Sequence, residues 1–443
     1  MALSFEELKQ LLFRRSNFGM KLGLARMRQA LSLLGEPHLA FPVLHVAGSN
    51  GKGSTCPFAE AALRAAGLRT GLYTSPHLFH FCERIRVAGE PISEERAATL
   101  FEEIVRRVPW ALRDDGLTFF ELATLMGFLA FAQDRVQVAV VEVGLGGRLD
   151  ATNVVEPLAC AVAPIALEHT RWLGDTLAQV AAEKAGILKR GAPAVSAGQA
   201  RAAAEALRSR AEALGVTLWR PGRDYVFESS DARPFCYAGP DGFRVALEEG
   251  TGSGLALLGH YQRGNAALAC ALLQAAAGRG LPVREEHVRQ GLRTARWPAR
   301  LEEVAQRPLV LLDGAHNPHA ARALAHALPA VAGGRPVQLV FAAMSDKDHA
   351  AMLRELLPVA ARLHLCAVDS PRAEPPERLA ALVGELGPTS HAVYPSVREA
   401  LRAAREEAGP DGCVLCCGSL YLAAEVAAAL GGRSPGWMPS ERL

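Results

Sequence analysis

The sequence predicts an α/β protein of two domains, each built on a doubly wound, mostly parallel sheet. Three observations carry this expectation. Short apolar runs alternate with longer segments of helical periodicity along almost the whole chain, the pattern of strands covered on both faces by crossover helices. The alternation lapses between Arg223 and Leu258 and restarts at Pro308. The 443 residues also exceed what a single hydrophobic core usually serves.

Taken in order, FPVLHVAG, RTGLYTS, VQVAVVEVGL and PLACAVAPI read as strands of the first sheet, with helices at Thr55–Ala66 and Phe119–Gln133 between them. Arg223–Leu258 carries aromatic and β-branched residues and the turn signal AGPDG, so a small antiparallel section is expected there. PLVLLDGAHNP, PVQLVFAAM, RLHLCAVD and GCVLCCGS, with helices between and after them, form a Rossmann-like second unit. The boundary falls near Trp297 and Pro298, giving domains of residues 1–296 and 297–443. Two such domains suggest a ligand site between them.

Composition excludes several classes. A net charge of +2 gives no electrostatic reason to expect nucleic acid or an anionic membrane as partner. No apolar run reaches membrane-spanning length. The N-terminal MALSFEELKQLLF is acidic where a secretory leader would be basic. Nine cysteines without framework spacing suit a reducing cytosol. Cys413, Cys416 and Cys417 sit in an apolar run and read as buried structure rather than metal ligands. The expectation is a cytoplasmic enzyme.

The chemistry begins at HVAGSNGKGST, residues 45–55, directly after a strand and before a helix. Gly48, Asn50, Gly51 and Gly53 would let backbone N–H groups approach phosphate oxygens, with the helix N-terminus favouring the charge. Lys52 would neutralise the β- and γ-phosphates, and Ser54 or Thr55 could reach Mg²⁺. The alternative is a tight strand-to-helix turn with an incidental lysine, but lysine is scarce in this chain. This makes the first domain resemble a P-loop ATPase sheet.

Glu142 ends a buried apolar strand, where a carboxylate needs a partner. Mg²⁺ would serve, and so would a helix cap or a buried salt bridge. His169 follows another strand-like run, and Lys184 lies in the apolar AAEKAGIL. Alone, each reads as readily as a structural histidine and a lysine reaching for solvent. In the second half, LLDGAHNP ends a strand with Asp313, His316 and Asn317, a bunching typical of ligand contacts. FAAMSDKDH repeats the pattern with Lys347. Arg300 in PARLEE is either a phosphate contact near the linker or an ordinary surface arginine.

In this order, GSNGKGST, TSPHL (74–78), ERIRVAGEPI (83–92), EVGLGGRLDATN, AAEKAGILK, GHYQRGNAALA (259–269), LLDGAHNP and CGSLYLAAEV (417–426) resemble the motifs of the folylpolyglutamate synthase/dihydrofolate synthase family, a branch of the muramyl-ligase-like ATP-dependent amide ligases. The resemblance covers nearly the whole chain. It implies that Ser75 and Glu142 help to hold the Mg²⁺ on the nucleotide phosphates. His169 would ligate a second Mg²⁺, and Lys184 would be N-carboxylated beside it. Asn265 and Arg300 would contact phosphate, Asp313 the ribose, and His316 lies in the same nucleotide-facing loop. For the pterin substrate, it implies Arg84, Phe120 and Glu121 of FFELAT (119–124), Asp150 and Ala151 of DATN (150–153), and Leu24 and Arg26 of FGMKLGLARM (18–27).

Two departures stand out: Ser49 replaces the usual threonine, and Glu168 stands where aspartate is commoner. The implied activity is ATP-dependent ligation of L-glutamate to dihydropteroate, to reduced folates such as tetrahydrofolate, or to both, through an acyl phosphate. A monomer binding only small molecules is expected. The competing readings are a muramyl-type ligase of cell-wall synthesis, a kinase or hydrolase sharing only the loop, and a non-catalytic nucleotide-binding module.

Overall fold

The computed structural model describes residues 4–16, 23–230, 233–248 and 253–431. Residues 18–22 of the segment 18–27, and the first three residues of the N-terminal stretch, lie outside these. The described chain divides into two compact units. Unit 1 comprises residues up to 77, 81–256 and 262–296; unit 2 comprises 78–80, 257–261 and everything from Trp297.

Unit 1 is built on an eight-stranded sheet. Its strands are β1 (Val43–Ala47), β2 (Thr70–Tyr73), β3 (Ile85–Val87), β4 (Glu90–Pro91), β5 (Val138–Glu142), β6 (Ala159–Val162), β7 (Ala194–Ser196) and β8 (Leu218–Trp219), in spatial order β4-β3-β2-β5-β1-β6-β7-β8. The central strands are parallel, and the β2–β3 and β3–β4 pairs are antiparallel. β1, β5 and β6 are buried at every position, as strands covered on both faces must be. All four strands expected here are present. The additions, β3, β4, β7 and β8, have two or three residues each, too few to show a period. A three-stranded antiparallel sheet of β9 (Val226–Phe227), β10 (Cys236–Ala238) and β11 (Arg244–Ala246) occupies the 223–258 region.

In unit 2 the strands are β12 (Glu302–Gln306), β13 (Leu309–Leu312), β14 (Val337–Phe341), β15 (Arg362–Leu365), β16 (His391–Val393) and β17 (Cys413–Cys417), in order β12-β13-β17-β14-β15-β16. Only β12 runs antiparallel to its neighbour. The chain is the α/β protein that the sequence predicted, with two mostly parallel sheets and a small antiparallel one.

Local chemistry sets the helix boundaries that matter. Helix Phe119–Gln133 starts where expected because Thr118 and Glu121 form a reciprocal capping box. The helix after β1 runs Lys52–Ala65, three residues earlier than expected. Gly51, at φ 86°, supplies the left-handed turn that lets the helix begin at once. Lys52, Gly53, Ser54 and Thr55 therefore form the first turn. The amides of Lys52 and Gly53 have no intrahelical acceptor there.

Helix Glu285–Thr294 packs on this helix through Gly291. A Cβ at Gly291 would lie 2.3 Å from the Ala62 backbone nitrogen. Gly291→Ala should therefore destabilise the protein by about 1–3 kcal/mol in urea unfolding, although alanine favours isolated helices. Increased stability would show that the two helices are not in close contact.

Candidate active site

The phosphate-loop residues lie at the carboxyl end of β1, in the middle of the unit 1 sheet. The amides of Ser49 and Asn50 donate to the Pro164 carbonyl at 2.9 and 3.1 Å, and the Ser49 hydroxyl donates to Ala166 O at 3.0 Å. The loop is thus tied to the segment after β6. Gly51 is packed so closely that a Cβ would meet Asn265 Oδ1 at 2.3 Å. Asn265, on helix Tyr261–Ala277, is held by Nδ2 donation to Gln262 Oε1 at 2.8 Å. Asn265 therefore abuts the loop.

Two ammonium groups share one carbonyl. Lys52 Nζ donates to Gly48 O at 2.9 Å and to Ser49 O at 3.4 Å. Lys184 Nζ, from the last turn of helix Leu177–Lys184, donates to the same Gly48 O at 3.0 Å and to Glu168 Oε1 at 2.8 Å. Lys184 is 1% exposed. Burial pushes its pKa down, with Lys52 adding to the effect and Glu168 opposing it. Burial would raise the Glu168 carboxyl, but Lys184 and Lys52, with the Ser49 hydrogen bond, hold it at about 2. Glu168, which the sequence marked only as a departure from a pattern, is the counter-ion of this cluster.

Glu142 closes β5 beside Val46 of β1. It is 4% exposed and accepts the Ser75 amide at 3.2 Å on Oε2. Ser54 is buried in the first helical turn, and Thr55 Oγ1 is buried without a hydrogen-bond partner among the described residues. A carboxylate and serine and threonine hydroxyls make an all-oxygen donor set, which suits Mg²⁺. His169 is exposed, at φ 46°, ahead of the short helix Thr170–Leu173.

The residues expected on the pterin side also lie in unit 1. Arg84 is buried, donates from Nε to His77 Nδ1 at 2.9 Å, and stacks 5.1 Å from the Phe119 ring. Phe120 lies 6.2 Å from the Tyr73 ring and crowds Gly144, two residues beyond Glu142. Glu121 is engaged twice, in its own helix cap and with Arg26 at 3.0 Å. Leu24 precedes the helix that begins at Ala25. Asp150 and Ala151 are buried. Burial raises the Asp150 carboxyl against the Thr152, Leu145 and Gly144 hydrogen bonds. The glycines of GLGG serve packing: a Cβ on Gly147 would meet the Glu183 and Lys184 carbonyl oxygens at 2.8 and 2.9 Å.

Arg300, Asp313 and His316 form a second cluster, in unit 2. Asp313 follows β13, is 5% exposed and accepts Tyr261 Oη at 3.1 Å, Leu301 N at 2.8 Å and Ala315 N at 2.8 Å. Burial raises its pKa while the nearby Arg300 lowers it. Ala299 and Leu301, both buried and at φ 52° and 50°, bracket Arg300 in left-handed backbone, a conformation that costs non-glycine residues energy and clusters at functional sites. His316 Nδ1 is 2.7 Å from Gly314 O. Lys347 pairs with Asp346 at 2.7 Å. Tyr261 was in view in GHYQRGN, but no local signal pointed it at Asp313.

A phosphate loop of this kind, followed by a separate Rossmann-like unit, is the organisation of a Mur-type ligase. The family model described as "Mur ligase, glutamate ligase domain" matches residues 299–420. Among curated relatives, a Bacillus subtilis dihydrofolate synthase/folylpolyglutamate synthase is 34% identical over 433 residues, covering 96% of this chain and 99% of the relative. A probable bifunctional folylpolyglutamate synthase/dihydropteroate synthase of Halobacterium salinarum is 38% identical over 429 residues, covering 96% of this chain. The chain spans about half of that relative's length, 51%. The solved structure of E. coli FolC in complex with DHPP and ADP superposes with a TM-score of 0.88 at 34% identity, covering 97% of this chain and 98% of that one. The Yersinia pestis bifunctional folylpolyglutamate synthase/dihydrofolate synthase complexed with AMPPNP and Mn ion gives 0.86 at 34% identity, with 97% and 98% covered. The chain belongs to the dihydrofolate synthase/folylpolyglutamate synthase family.

Glu168 generates a pH prediction. Its folded pKa of about 2 lies below the ordinary 4.5, so its pairing stabilises fully above pH 4.5 and is lost as pH falls towards 2. Glu168→Gln should cost on the order of 3 kcal/mol at neutral pH by stranding Lys184, and the two stability curves should converge on acidification. A gap independent of pH would show that the pair is not ionised.

Proposed function

We propose that this protein ligates L-glutamate to a pterin-bearing carboxylate, dihydropteroate or a reduced folate, at the expense of ATP. The observation carrying this reading is the Gly48–Lys52–Lys184–Glu168 cluster at the head of a phosphate loop, in a chain of this family. In the reaction, a carboxylate oxygen of the acceptor attacks the γ-phosphorus of ATP. The bond to the bridging oxygen breaks, ADP leaves, and an acyl phosphate forms. The glutamate amine then attacks the acyl carbon, the tetrahedral intermediate expels phosphate, and the amine loses a proton to leave an amide.

Within this reading, Lys52 turns from the Gly48 and Ser49 carbonyls to the phosphates, and the first-turn amides of the helix receive phosphate oxygens. Asn265 and Arg300 add phosphate contacts, and Asp313 and His316 face the nucleoside. Glu142, Ser75 and Ser54 would hold a divalent cation, and His169 with Lys184 a second. Bound there, Mg²⁺ supplies neutralisation of phosphate charge. Lys184, its pKa lowered by burial, would lose its ammonium proton, add its amine nitrogen to the carbon of CO₂ and release a second proton, becoming a carbamate. Phe120, Arg84, Glu121, Arg26, Leu24, Asp150 and Ala151 line the acceptor side. In this reading residues 1–296 are the ATP-binding, muramyl-ligase-like domain and residues 297–443 the Rossmann-like glutamate-ligase domain. The reading takes the enzyme as a cytoplasmic monomer.

The test is glutamate-dependent phosphate release with Mg-ATP, run in parallel with dihydropteroate and tetrahydrofolate. Release with both defines a bifunctional enzyme, release with one assigns the acceptor, and release with neither refutes the proposal. Lys52→Ala should lower turnover on the order of 100- to 1000-fold with an unchanged circular dichroism spectrum. Lys184→Ala should be similarly impaired and partly restored by short carboxylates. Full activity without them would exclude an essential carbamate.

A further inference from the structure

A fully buried histidine sits beneath the acceptor-side loop. His45 belongs to β1, between β5 and β6, and has 0% exposure. An imidazole in the middle of a parallel sheet is costly unless its nitrogens are used. His45 Nε2 lies 2.9 Å from Thr152 Oγ1. Thr152 also binds Asp150, with its hydroxyl at 2.5 Å and its amide at 3.0 Å from Oδ1. Asp150 Oδ2 accepts the Leu145 amide at 2.8 Å. The single hydroxyl proton of Thr152 goes to the carboxylate, so His45 Nε2 must carry the donating hydrogen. Nδ1 is buried without a partner among the described residues. Burial holds the His45 pKa at about 3, keeping the ring neutral.

We infer that His45 is a positioning residue: through Thr152 it fixes the Asp150 carboxylate and holds the loop Gly144–Val154 in the conformation that receives the acceptor. One hydrogen bond, His45 to Thr152, joins the strand bearing the phosphate loop to the loop bearing Asp150 and Ala151, and Thr152 relays it to Asp150 within that loop. The Leu145 bond closes that loop on itself, and the loop is also tied to the 183–186 segment by Arg148 N to Glu183 O at 2.8 Å and Asn153 Nδ2 to Gly186 O at 3.1 Å. His45 is its side-chain tie to β1. One nitrogen of His45 is used and the other is not. A pure packing role would be better filled by leucine, so the useful part of this residue is its Nε2–H. The role in acceptor binding rests on the function proposed above; the anchoring of the loop does not.

The experiment compares His45→Leu, His45→Gln and Thr152→Val in the full chain. Amide hydrogen exchange is followed in peptides covering 144–154 and 48–55, alongside kcat and the KM values for ATP and pterin acceptor. Leucine replaces a half-satisfied ring with apolar volume that the sheet should tolerate, whereas glutamine restores an N–H donor. Exchange in 144–154 should quicken about tenfold in His45→Leu and Thr152→Val, with 48–55 unchanged and His45→Gln close to wild type. Acceptor KM should rise about tenfold in the same two variants, with ATP KM and kcat nearly constant. Wild-type exchange in His45→Leu, or equal loosening of both peptides, overturns the inference. Faster exchange with unchanged acceptor KM upholds His45 as the anchor and overturns the assignment of this loop to the acceptor.

Discussion

The site in unit 1 depends on one carbonyl oxygen. Gly48 O accepts both Lys52 and Lys184, using the two lone pairs a carbonyl offers. Two ammoniums so placed repel each other, and the arrangement stands because Glu168 supplies an anion beside Lys184. This ties three pieces of chain together: the turn after β1, the segment after β6, and the end of helix Leu177–Lys184. Under the function proposed above, the loop is shaped before a nucleotide arrives, which lowers the ordering cost of binding. Its stability and its charge state come from the same three residues.

Unit 2 solves a similar problem with a single buried carboxylate. Asp313 gathers donors from the chain before Trp297 (Tyr261), from the strained Ala299–Leu301 turn and from its own loop. Arg300 is held between two left-handed residues, and its guanidinium donates to the Ala299 carbonyl. Both units place their polar groups just beyond the carboxyl ends of buried strands, where the sheet stops competing for backbone hydrogen bonds.

How much of this was legible in the sequence varied with its physical origin. The long central strands and helix Phe119–Gln133 announced themselves by apolar content and capping chemistry. β3, β4, β7 and β8 did not, because two or three residues carry no period. The start of helix Lys52–Ala65 was misplaced because glycines at 51 and 53 look like loop, whereas Gly51 is the residue that allows the helix to begin. Glycines in GKGS and GLGG look alike in a sequence. The structure separates them into a left-handed turn at Gly51 and close backbone packing at Gly147. Lys184 and Glu142 could be singled out as charges in apolar surroundings, and Lys52 as a rare lysine in a glycine-rich turn. The pairing of Lys184 with Glu168, of Tyr261 with Asp313 and of His45 with Thr152 spans 16, 52 and 107 positions, and only folding brings such partners together.

Eight of the nine cysteines are buried, and Cys236 alone is partly accessible. Cys413, Cys416 and Cys417 lie within β17, in the middle of the unit 2 sheet, where burial holds their thiols in the protonated form. The folded protein therefore presents alkylating reagents with little thiolate. Each unit carries its own internal clock of opening, because a buried thiol becomes modifiable only when its sheet comes apart. A cysteine introduced on the surface could be labelled selectively, after removal of Cys236, without disturbing either core.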